Sequence, residues 1–461
     1  SHQTLVHRLV LVFFVLYVSS NLCHGEQACR VYVTVSSFWF LSNEAPHGLQ
    51  SRHLELNWEP AACLQRRLHS VALLARDPAI TGRWSNDSWV LSHLLSSQHP
   101  EGYFRTTVSL GKPRLPGDFD SGGHKHYLHI GHQNTTRPKS GDHCLPYWAA
   151  AYDGSGALIA SDCLRIRPTW MWDHRTQLGG ARLSQLMLPG THNSGCFYGG
   201  EEALTRADTV ARFVFTQDED VWEQLVWGAR YIDIRVGYYR DKAVRLWVNH
   251  GPVKVTALQP ILRDVRRFLL LSPGEVVILD FHRFPVGFSK SWQRSTVRHR
   301  RLATMIRDEL GDLAAKCTPN GSPRLNDLWS NDKRLVVMHA ERGEVHVNWD
   351  ADWLCGPLTQ AWGNQHSTAG LKQYLQEAVK RYSGGPAMWA AMAELTPSPL
   401  DPVLRPSRGL RLMADDVNRH VTRWFRELWW RDANVVATDY LLGNKIVDVA
   451  IEANLRRRTS N

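Results

Sequence analysis

The second half of the chain alternates short apolar runs with amphipathic stretches, and this alternation limits the possible folds more than any other feature. From Leu183 onward, seven apolar runs are predicted to be strands: residues 186–188, 231–236, 245–249, 276–281, 334–339, 388–395 and 434–439. Stretches such as 258–271 lie between them, with apolar residues at helical spacing. Alternation over about 280 residues predicts an α/β fold, an irregular TIM (β/α) barrel, with a doubly wound open sheet as the alternative.

The front of the chain has a different pattern, with short apolar runs separated by turn-rich segments. The strand candidates there are residues 30–35, 54–58, 71–74, 103–108 and 147–152. Several short strands at such spacing predict a β-sandwich-like domain. We therefore divide the chain into a β-rich N-terminal domain, residues 26–167, and a barrel domain, residues 168–461.

The first 25 residues are predicted to be a signal peptide. An apolar run at 9–18 follows His7 and Arg8, and this length suits the hydrophobic region of a signal peptide better than a membrane span. A signal anchor is the alternative. Sequons at Asn86 and Asn134 agree with secretion, and a third at Asn320 is less suited to glycosylation because Pro323 lies just behind it. The sequence therefore predicts a secreted glycoprotein.

In a secreted protein, the cysteines can form disulfides. Cys23 leaves with the signal peptide, and seven cysteines remain, none in C-x-x-C spacing, so a zinc site is not expected. Four of them, Cys29, Cys63, Cys144 and Cys163, are predicted to form two disulfides within the front domain. Cys317 and Cys355 are a third candidate pair. This pairing leaves Cys196 free.

The net charge of +10 and a pI near 9.3 favour an anionic partner. A membrane surface, an acidic lipid headgroup and nucleic acid are the classes that such a charge suits. No RNP-type segment, zinc-finger spacing or sustained basic helix is present, so nucleic acid is not expected. A basic surface without functional meaning is the alternative.

One short stretch places a histidine at the expected tip of the first barrel strand. Residues 186–194 (LMLPGTHNS) form an apolar run that is predicted to stop at a Pro189-Gly190 turn, with His192 just beyond. Active sites of barrels lie where strands end in loops. The alternative is a surface turn with an incidental histidine.

A second stretch, residues 231–236 (YIDIRV), carries charge where a barrel should be apolar. Strand alternation turns Ile232 and Ile234 toward the helices and leaves Asp233 and Arg235 pointing inward. Buried charge is costly unless it is paired. We predict an anion site in which Arg235 holds a phosphate. The alternative is a purely structural Asp233–Arg235 pair.

Further acid–base groups end the following strands. His250 closes residues 246–250, so two histidines stand at successive strand tips with Arg235 between them. One imidazole can act as base and the other as acid, since both titrate near neutral pH. Asp280 and His282 share one face of the next strand, and Asp439 ends the last one. Either aspartate can orient a catalytic histidine.

These motifs, in this order and at this spacing, closely resemble the phosphatidylinositol-specific phospholipase C X-domain family. The resemblance rests on LPGTHNS, YIDIRV and NHG, on EVVILDF from Glu275, and on NVVATDYLLG from Asn434, and it covers about residues 175–456. The β-rich front and the segment 168–171 resemble the secreted, arthropod-type members. The family implies a distorted TIM barrel and a two-histidine mechanism.

By matching motifs, the resemblance implies that His192 deprotonates the inositol 2-hydroxyl, whose oxygen attacks phosphorus. His250 would then protonate the leaving diacylglycerol oxygen, giving inositol 1,2-cyclic phosphate. Arg235 stands where calcium-dependent members carry an acidic ligand, so we expect no metal and no cofactor. The predicted catalytic residues are His192, His250, Arg235, Asp233 and Asp439, and the predicted substrate-binding residues are Asn193, Arg235, Asp280 and His282.

The chain departs from the family pattern at two positions. Asn193 stands where bacterial enzymes have an aspartate that supports the acid histidine, and an amide cannot raise an imidazole pKa by charge. His250 therefore needs another carboxylate or is a weaker acid. His282 stands where calcium-dependent members have a carboxylate, which again speaks against calcium.

Three functions compete. The favoured one is a secreted, metal-independent phosphodiesterase that acts on phosphatidylinositol, or a glycosylated form, at an anionic membrane surface. The second is a catalytically weak protein that binds anionic lipid or inositol phosphate, which Asn193 favours. The third is a glycerophosphodiester or sphingomyelinase D type of barrel, whose Glu-x-Asp metal set is missing from the Asp233-Ile-Arg235 sequence.

Overall fold

The fold comes from a computed structural model of the chain. The structure describes residues 29–41, 49–80, 90–120, 143–198, 209–288, 292–318, 321–346 and 351–459. The predicted signal peptide and the asparagines of the three sequons, Asn86, Asn134 and Asn320, lie outside the described residues.

The chain divides into two compact units. One comprises Ser1–Val33, Leu54–Val108 and Leu145–Leu164, and the other comprises Thr34–His53, Ser109–Cys144 and Arg165–Asn461. The second unit thus contains the predicted barrel together with two segments from the front of the chain.

The front of the chain folds into short strands. They are β1 (Val31–Val35), β2 (Trp39–Leu41), β3 (Leu49–Ser51), β4 (His53–Trp58), β5 (Leu68–Leu74), β6 (Val90–Leu95), β7 (Tyr103–Ser109), β8 (Cys144–Asp153) and β9 (Leu158–Arg165), with helix α1 (Pro60–Gln65) after β4. Their sheets have the orders β1-β4-β7, β2-β3 and β6-β5-β8-β9. All five strands predicted in this region are confirmed, whereas the sandwich arrangement stays a prediction.

The second half forms a curled parallel sheet. Its strands are β10 (Leu188–Thr191), β11 (Tyr231–Tyr238), β14 (Val277–Val286), β15 (Leu335–His339), β16 (Leu354–Cys355), β17 (Thr359–Ala361), β18 (Trp389–Met392) and β19 (Val435–Thr438). The sheet order is β16-β15-β14-β11-β10-β19-β18-β17. Strand β10 thus pairs in parallel with both β11 and β19, the second and last strands of the set. Because the first strand, β10, pairs with the last, β19, the sheet curls on itself. This confirms the predicted irregular (β/α) barrel, which is open between β16 and β17.

One predicted barrel strand is wrong. Residues 245–249 lie in an antiparallel hairpin, β12 (Leu246–His250) and β13 (Val253–Ala257), which pairs with the C-terminal part of β11. Gly251, with φ of 53°, forms the tight turn between its strands. The connection from β11 to β12 is too short for a parallel crossover, which needs a dozen or more residues.

The predicted Pro189-Gly190 turn is also wrong, because both residues lie inside β10. Gly190 is needed there for close packing: a Cβ on it would lie 2.7 Å from Cδ1 of Tyr231 on the neighbouring strand. The turn begins at His192 instead, and Asn193 has a φ of 42° in it.

Helices precede, separate and follow the barrel strands along the chain. They are α2 (Trp170–Asp173), α3 (Arg175–Leu178), α4 (Thr209–Arg212), α5 (Val221–Trp227), α6 (Leu258–Leu271), α7 (Trp292–Leu310), α8 (Leu325–Ser330), α9 (Arg342–His346), α10 (Thr368–Tyr382), α11 (Asp401–Leu404), α12 (Gly409–Glu427) and α13 (Ile446–Thr459). Helix α6 buries the apolar stripe that its periodicity predicted, from Leu258 to Leu269. Each such side chain contributes about 1.5–3 kcal/mol when fully buried.

Apolar residues close the N-terminal end of the barrel. Trp170 and Met171 pack with Leu188, Ile278 and Val435 in one buried cluster. The interior is therefore apolar where the strands begin, which leaves their C-terminal ends for the polar groups described below.

A buried ion pair fixes the start of β11. Arg230 Nη2 and Nε donate to Glu275 Oε2 at 2.6 and 2.8 Å, and neither side chain is exposed. Glu275 also accepts from the backbone N–H groups of Met171 and Trp172. A buried pair with its remaining groups hydrogen-bonded holds these segments in a defined register.

Three disulfides are present among the described residues. Cys29 pairs with Cys63, and Cys144 and Cys163 are also disulfide-bonded. The predicted Cys317–Cys355 pair is confirmed, and Cys196, which the predicted pairing leaves over, is free and buried. Among the described residues, no helix has the length and apolar character that a membrane crossing requires.

Candidate active site

The polar side chains converge where the barrel strands end. His192 follows β10 directly, Asp439 follows β19 directly, and Arg235 lies in the C-terminal half of β11. The backbone N–H of His192 donates to Thr438 O at 3.0 Å, so the parallel pairing of β10 with β19 brings these two ends together.

A carboxylate holds the His192 ring. Nδ1 of His192 lies 2.7 Å from Oδ1 of Asp439, and both residues are buried. Because a carboxylate only accepts, Nδ1 carries a proton and donates it to this bond. The other ring nitrogen, Nε2, is then the one that can exchange a proton with a ligand.

An arginine faces the free ring nitrogen. Nη2 of Arg235 lies 2.7 Å from Nε2 of His192. Guanidinium groups only donate, so Nε2 accepts this bond and the ring is neutral. The geometry therefore presents an unprotonated imidazole nitrogen beside a fixed positive charge.

The surroundings of His192 make it a stronger base. Burial alone would lower its pKa, but the negative charges of Glu394 and Asp439 outweigh burial and raise the pKa. Arg235 acts in the opposite direction. The raised pKa favours proton uptake at Nε2 of His192.

Glu394 is a site residue that the sequence did not reveal. It follows β18, is almost fully buried, and has Oε1 4.0 Å from Nε2 of His192. Neither of its oxygens has a hydrogen-bond partner among the described residues. Burial raises its pKa to about 7, with the charge of His192 acting the other way. In the sequence, Glu394 stands out only as a single acidic residue near the end of an otherwise apolar run.

A polar layer lies beneath these groups. Nε2 of Gln360, on β17, is within 2.9–3.2 Å of Tyr231 Oη, Asp233 Oδ1 and Asp280 Oδ2. Tyr231 Oη donates to Asp280 Oδ2 at 2.6 Å. Burial, followed by the charge of Asp233, raises the Asp280 pKa to about 7. Gln360 links three strands and was also missed by the sequence analysis.

Asp233 anchors the turn after His192. Its Oδ2 accepts from the backbone N–H of Asn193 at 2.8 Å and lies 3.8 Å from Arg235 Nη2. Burial would raise its pKa, but Arg235 and His192 outweigh burial, so the pKa is lowered. Asp233 therefore does more than pair with Arg235, because it also fixes the backbone of the His192 turn.

Asn193 and Asp280, both predicted to bind substrate, are completely buried. Neither side-chain polar atom of Asn193 has a partner among the described residues. Their substrate contacts stay predictions.

His250 stands on the hairpin instead of on a barrel strand. Its Nδ1 lies 2.7 Å from the carbonyl oxygen of Val214, which requires a proton on Nδ1. Burial and then the charge of Arg235 lower its pKa to about 3. His250 is therefore neutral near pH 7, and its Nδ1–H donates a hydrogen bond to a backbone carbonyl oxygen.

His282 lies close to Asp280, with Nδ1 3.9 Å from Asp280 Oδ2. Burial is the main cause that lowers its pKa. Within the part of the chain that the structure describes, no group of three or more His, Cys, Asp or Glu is arranged to hold a metal ion.

The fold and the site together define a barrel protein whose strand ends hold a His–carboxylate pair facing an arginine. No family model matches the chain. Human PI-PLC X domain-containing protein 1 is 25% identical over 316 residues, which are 63% of this chain and 94% of the human protein.

Further relatives are also named PI-PLC X domain-containing proteins. Zebrafish PI-PLC X domain-containing protein 3 is 24% identical over 309 residues, covering 62% of this chain and 92% of that protein. Mouse PI-PLC X domain-containing protein 2 is 23% identical over 260 residues, covering 53% and 73%. The chain is a homologue of the PI-PLC X domain-containing proteins, as its motifs predicted.

Two solved structures also match. Phosphatidylinositol-specific phospholipase C from Staphylococcus aureus has a TM-score of 0.47 at 15% identity, covering 62% of this chain and 97% of that chain. The enzyme from Listeria monocytogenes has a TM-score of 0.45 at 18% identity, covering 62% and 98%.

Proposed function

We propose that the chain is a secreted, metal-independent phosphodiesterase that cleaves phosphatidylinositol, or a glycosylated form of it, to diacylglycerol and inositol cyclic phosphate. The observation that carries this proposal is the state of His192. Its Nδ1 donates to Asp439 while its Nε2, free of a proton, faces Arg235. A base and a cation thus stand side by side, as attack on an anionic phosphodiester requires.

The first step uses His192. Nε2 takes the proton of the inositol 2-hydroxyl, and the resulting oxygen forms a bond to phosphorus. Asp439 keeps the ring oriented and stabilises the imidazolium that forms, because its oxygen already accepts from Nδ1. The raised pKa of His192, which Glu394 and Asp439 produce against the effect of burial, supports this role.

Arg235 stabilises the negative charge on the non-bridging phosphoryl oxygens in the transition state. Its guanidinium is fixed next to Nε2 and is only slightly exposed, so it lies in a low-dielectric site where charge stabilisation is strong. A guanidinium supplies this stabilisation without a metal ion.

His250 completes the cleavage by protonating the diacylglycerol oxygen as the P–O bond breaks. In the free protein its pKa is lowered to about 3, by burial first and by Arg235 second. A bound phosphodiester anion would offset the charge of Arg235 and raise this pKa. The acid is therefore formed in the substrate complex.

An apolar platform at the strand ends supports contact with a lipid surface. It consists of Trp362, after β17, and of Leu400, Val403 and Leu404, after β18, with exposed fractions of 40%, 61%, 78% and 69%. Exposed aliphatic groups beside an exposed Arg405 suit an anionic bilayer.

The platform is held firmly by Thr396. Its N–H donates to Gln365 O at 2.8 Å, its hydroxyl accepts from Trp362 Nε1 at 3.1 Å, and its carbonyl accepts from His366 Nδ1 at 2.6 Å. Two loops are thereby joined, so the apolar side chains stay exposed on an ordered support. This supports a role in peripheral membrane contact.

Secretion is supported by the three disulfides, since such bonds persist in oxidising compartments. The relatives, of which human PI-PLC X domain-containing protein 1 matches 63% of this chain, support a phospholipase-like fold.

A catalytically weak lipid- or inositol-phosphate-binding protein is the second candidate. The neutral His250 favours it, because among the described residues this imidazole donates to a carbonyl and has no carboxylate hydrogen-bonded to it. Phosphorus NMR of phosphatidylinositol vesicles with the full chain distinguishes the two. Appearance of a cyclic phosphate signal that His250→Ala abolishes supports the enzyme, and vesicle binding without any new signal supports the binder.

A further inference from the structure

A cavity lies at the opposite end of the barrel from His192. It has a volume of about 760 Å³ and sits where β10, β18 and β19 begin. This size is typical of small-molecule sites, roughly 300–1,000 Å³. Its lining includes four arginines, one tryptophan and one aspartate: Arg182, Arg431, Arg457, Arg458, Trp430 and Asp432. We call it the arginine pocket.

The positive charge of the arginine pocket is not neutralised. Within the described part of the chain, none of its four arginines forms an ion pair with a carboxylate. Asp432 is the one acidic residue of the lining. Nε of Arg458 is buried and has no hydrogen-bond partner there. Four like charges around one cavity repel each other, so an anion placed among them would be strongly stabilised.

Arg457 is held rigidly by backbone oxygens. Its guanidinium donates to Trp430 O at 2.7 Å, Gln185 O at 3.0 Å and Ala433 O at 2.7 Å. These acceptors are neutral, so they orient the guanidinium without cancelling its charge. Burial and the neighbouring charge of Arg458 lower the Arg457 pKa to about 10, with Asp432 acting in the other direction.

Trp430 orders two further cations. The guanidinium of Arg431 lies 4.9 Å from the centre of its ring, and that of Arg456 lies 3.9 Å away. Cation–π contact of this kind restrains an arginine side chain without neutralising it. The pocket is therefore preorganised by its tryptophan and its carbonyl groups, which reduces the entropy lost on binding.

We infer that the arginine pocket binds a small soluble oligoanion, a ligand that carries several phosphate or sulfate groups. Guanidinium groups match both oxyanions by paired hydrogen bonds. The pocket lies at the N-terminal ends of the strands, whereas His192 and Arg235 lie at the C-terminal ends. Binding at the pocket is therefore independent of the proposed cleavage and survives if that proposal fails.

The test uses isothermal titration calorimetry of the full chain with three probes: inositol hexakisphosphate, sucrose octasulfate and inorganic phosphate. The variant is Arg431→Gln/Arg458→Gln, which leaves the structural Arg457 in place. The matched control is Arg175→Gln/Arg263→Gln, in which Arg175 lies 4.8 Å over the Trp172 ring and Arg263 is 63% exposed. Both double variants remove the same charge.

We expect at least one of the two oligoanions to bind more tightly than inorganic phosphate. The pocket variant should weaken that binding by roughly tenfold or more, and the control by less than threefold. Binding of the phosphate probe alone identifies a phosphorylated ligand, and binding of the sulfate probe alone identifies a sulfated one. Failure of both oligoanions to bind, or equal weakening in both variants, would overturn the inference.

Discussion

Nη2 of Arg235 lies 2.7 Å from Nε2 of His192, on the ring edge opposite the one that contacts Asp439. A donor on this edge requires an unprotonated Nε2, and an acceptor on the other requires a protonated Nδ1. The two contacts together select one tautomer of a neutral imidazole. This tautomer is the one that a general base needs, because its lone pair points at the cation that would hold the substrate phosphate.

The first prediction concerns that tautomer. Replacing Asp439 by Asn removes the charge that favours the Nδ1 proton and stabilises the imidazolium. We expect Asp439→Asn to lower kcat on phosphatidylinositol by about 100-fold or more, the scale of a lost acid–base contribution. Asp332→Asn, at an 86% exposed side chain, is the control and should leave kcat unchanged. If the kcat of Asp439→Asn stayed within threefold of that of the unchanged protein, this would contradict the role assigned to Asp439.

The second prediction concerns the pH dependence of the proposed base. Glu394 is the larger of the two negative charges that raise the His192 pKa against burial. Glu394→Gln removes that charge, so the His192 pKa should fall. The acidic limb of the kcat/KM profile should then move to lower pH, whatever happens to the maximal rate. An unmoved acidic limb would show that Glu394 does not act on His192.

The same substitution makes a separate prediction for stability. The pKa of Glu394 is raised in the fold to about 7, mainly by burial, so its stabilising contribution is present at low pH and lost as pH rises through about 7. Glu394→Gln should therefore stabilise the protein more at pH 8 than at pH 5, by on the order of 2 kcal/mol. Urea unfolding at both pH values measures this. Equal shifts at the two pH values would contradict the burial argument.

The third prediction concerns the apolar platform. Leu400→Ser/Leu404→Ser removes two exposed aliphatic side chains from the proposed lipid contact. We expect weaker binding to phosphatidylinositol vesicles, by tenfold or more, since one fully buried leucine contributes about 1.5–3 kcal/mol and tenfold corresponds to about 1.4 kcal/mol. Cleavage of a soluble, short-chain substrate analogue should be unaffected. Leu428→Ser, an exposed leucine elsewhere at 52%, is the control. Equal loss on vesicles and soluble substrate would indicate a folding defect.

The fourth prediction concerns the open seam of the barrel. The Cys317–Cys355 disulfide ties β16, which ends at Cys355, to the segment after α7. Its sequence separation is 38 residues, a loop length for which the loss of one disulfide costs about 2–4 kcal/mol. Cys317→Ser/Cys355→Ser should lower the free energy of urea unfolding by this amount. A change below about 0.5 kcal/mol would mean that the seam is stable without the bond.

The long periodic segments of the fold were predictable from the sequence, but its shortest strands were not. Strand β11 and helix α6 carry several turns or alternations of apolar residues, so their type follows from local pattern. Strands β16 and β17 have two and three residues, which is too short for any periodicity. The hairpin was misassigned because an apolar run does not reveal whether its partner is parallel or antiparallel.

The residues of the candidate site were likewise only partly predictable from the sequence. His192 and Arg235 were found because polar groups at the ends of apolar runs stand out. Glu394 and Gln360 were missed, since each is a single polar residue whose partners lie on strands distant in the sequence. The arginine pocket draws its lining from four separate segments of the chain, and only the folded barrel brings them together.

The most direct test of the central claim is the release of inositol cyclic phosphate from phosphatidylinositol vesicles in EDTA, by the full chain and by His192→Ala. We predict turnover in EDTA that His192→Ala abolishes and that added calcium does not increase, because Arg235 supplies the stabilising charge. Turnover that appears only with calcium, or that survives in His192→Ala, would contradict a metal-independent mechanism built on His192 and Arg235.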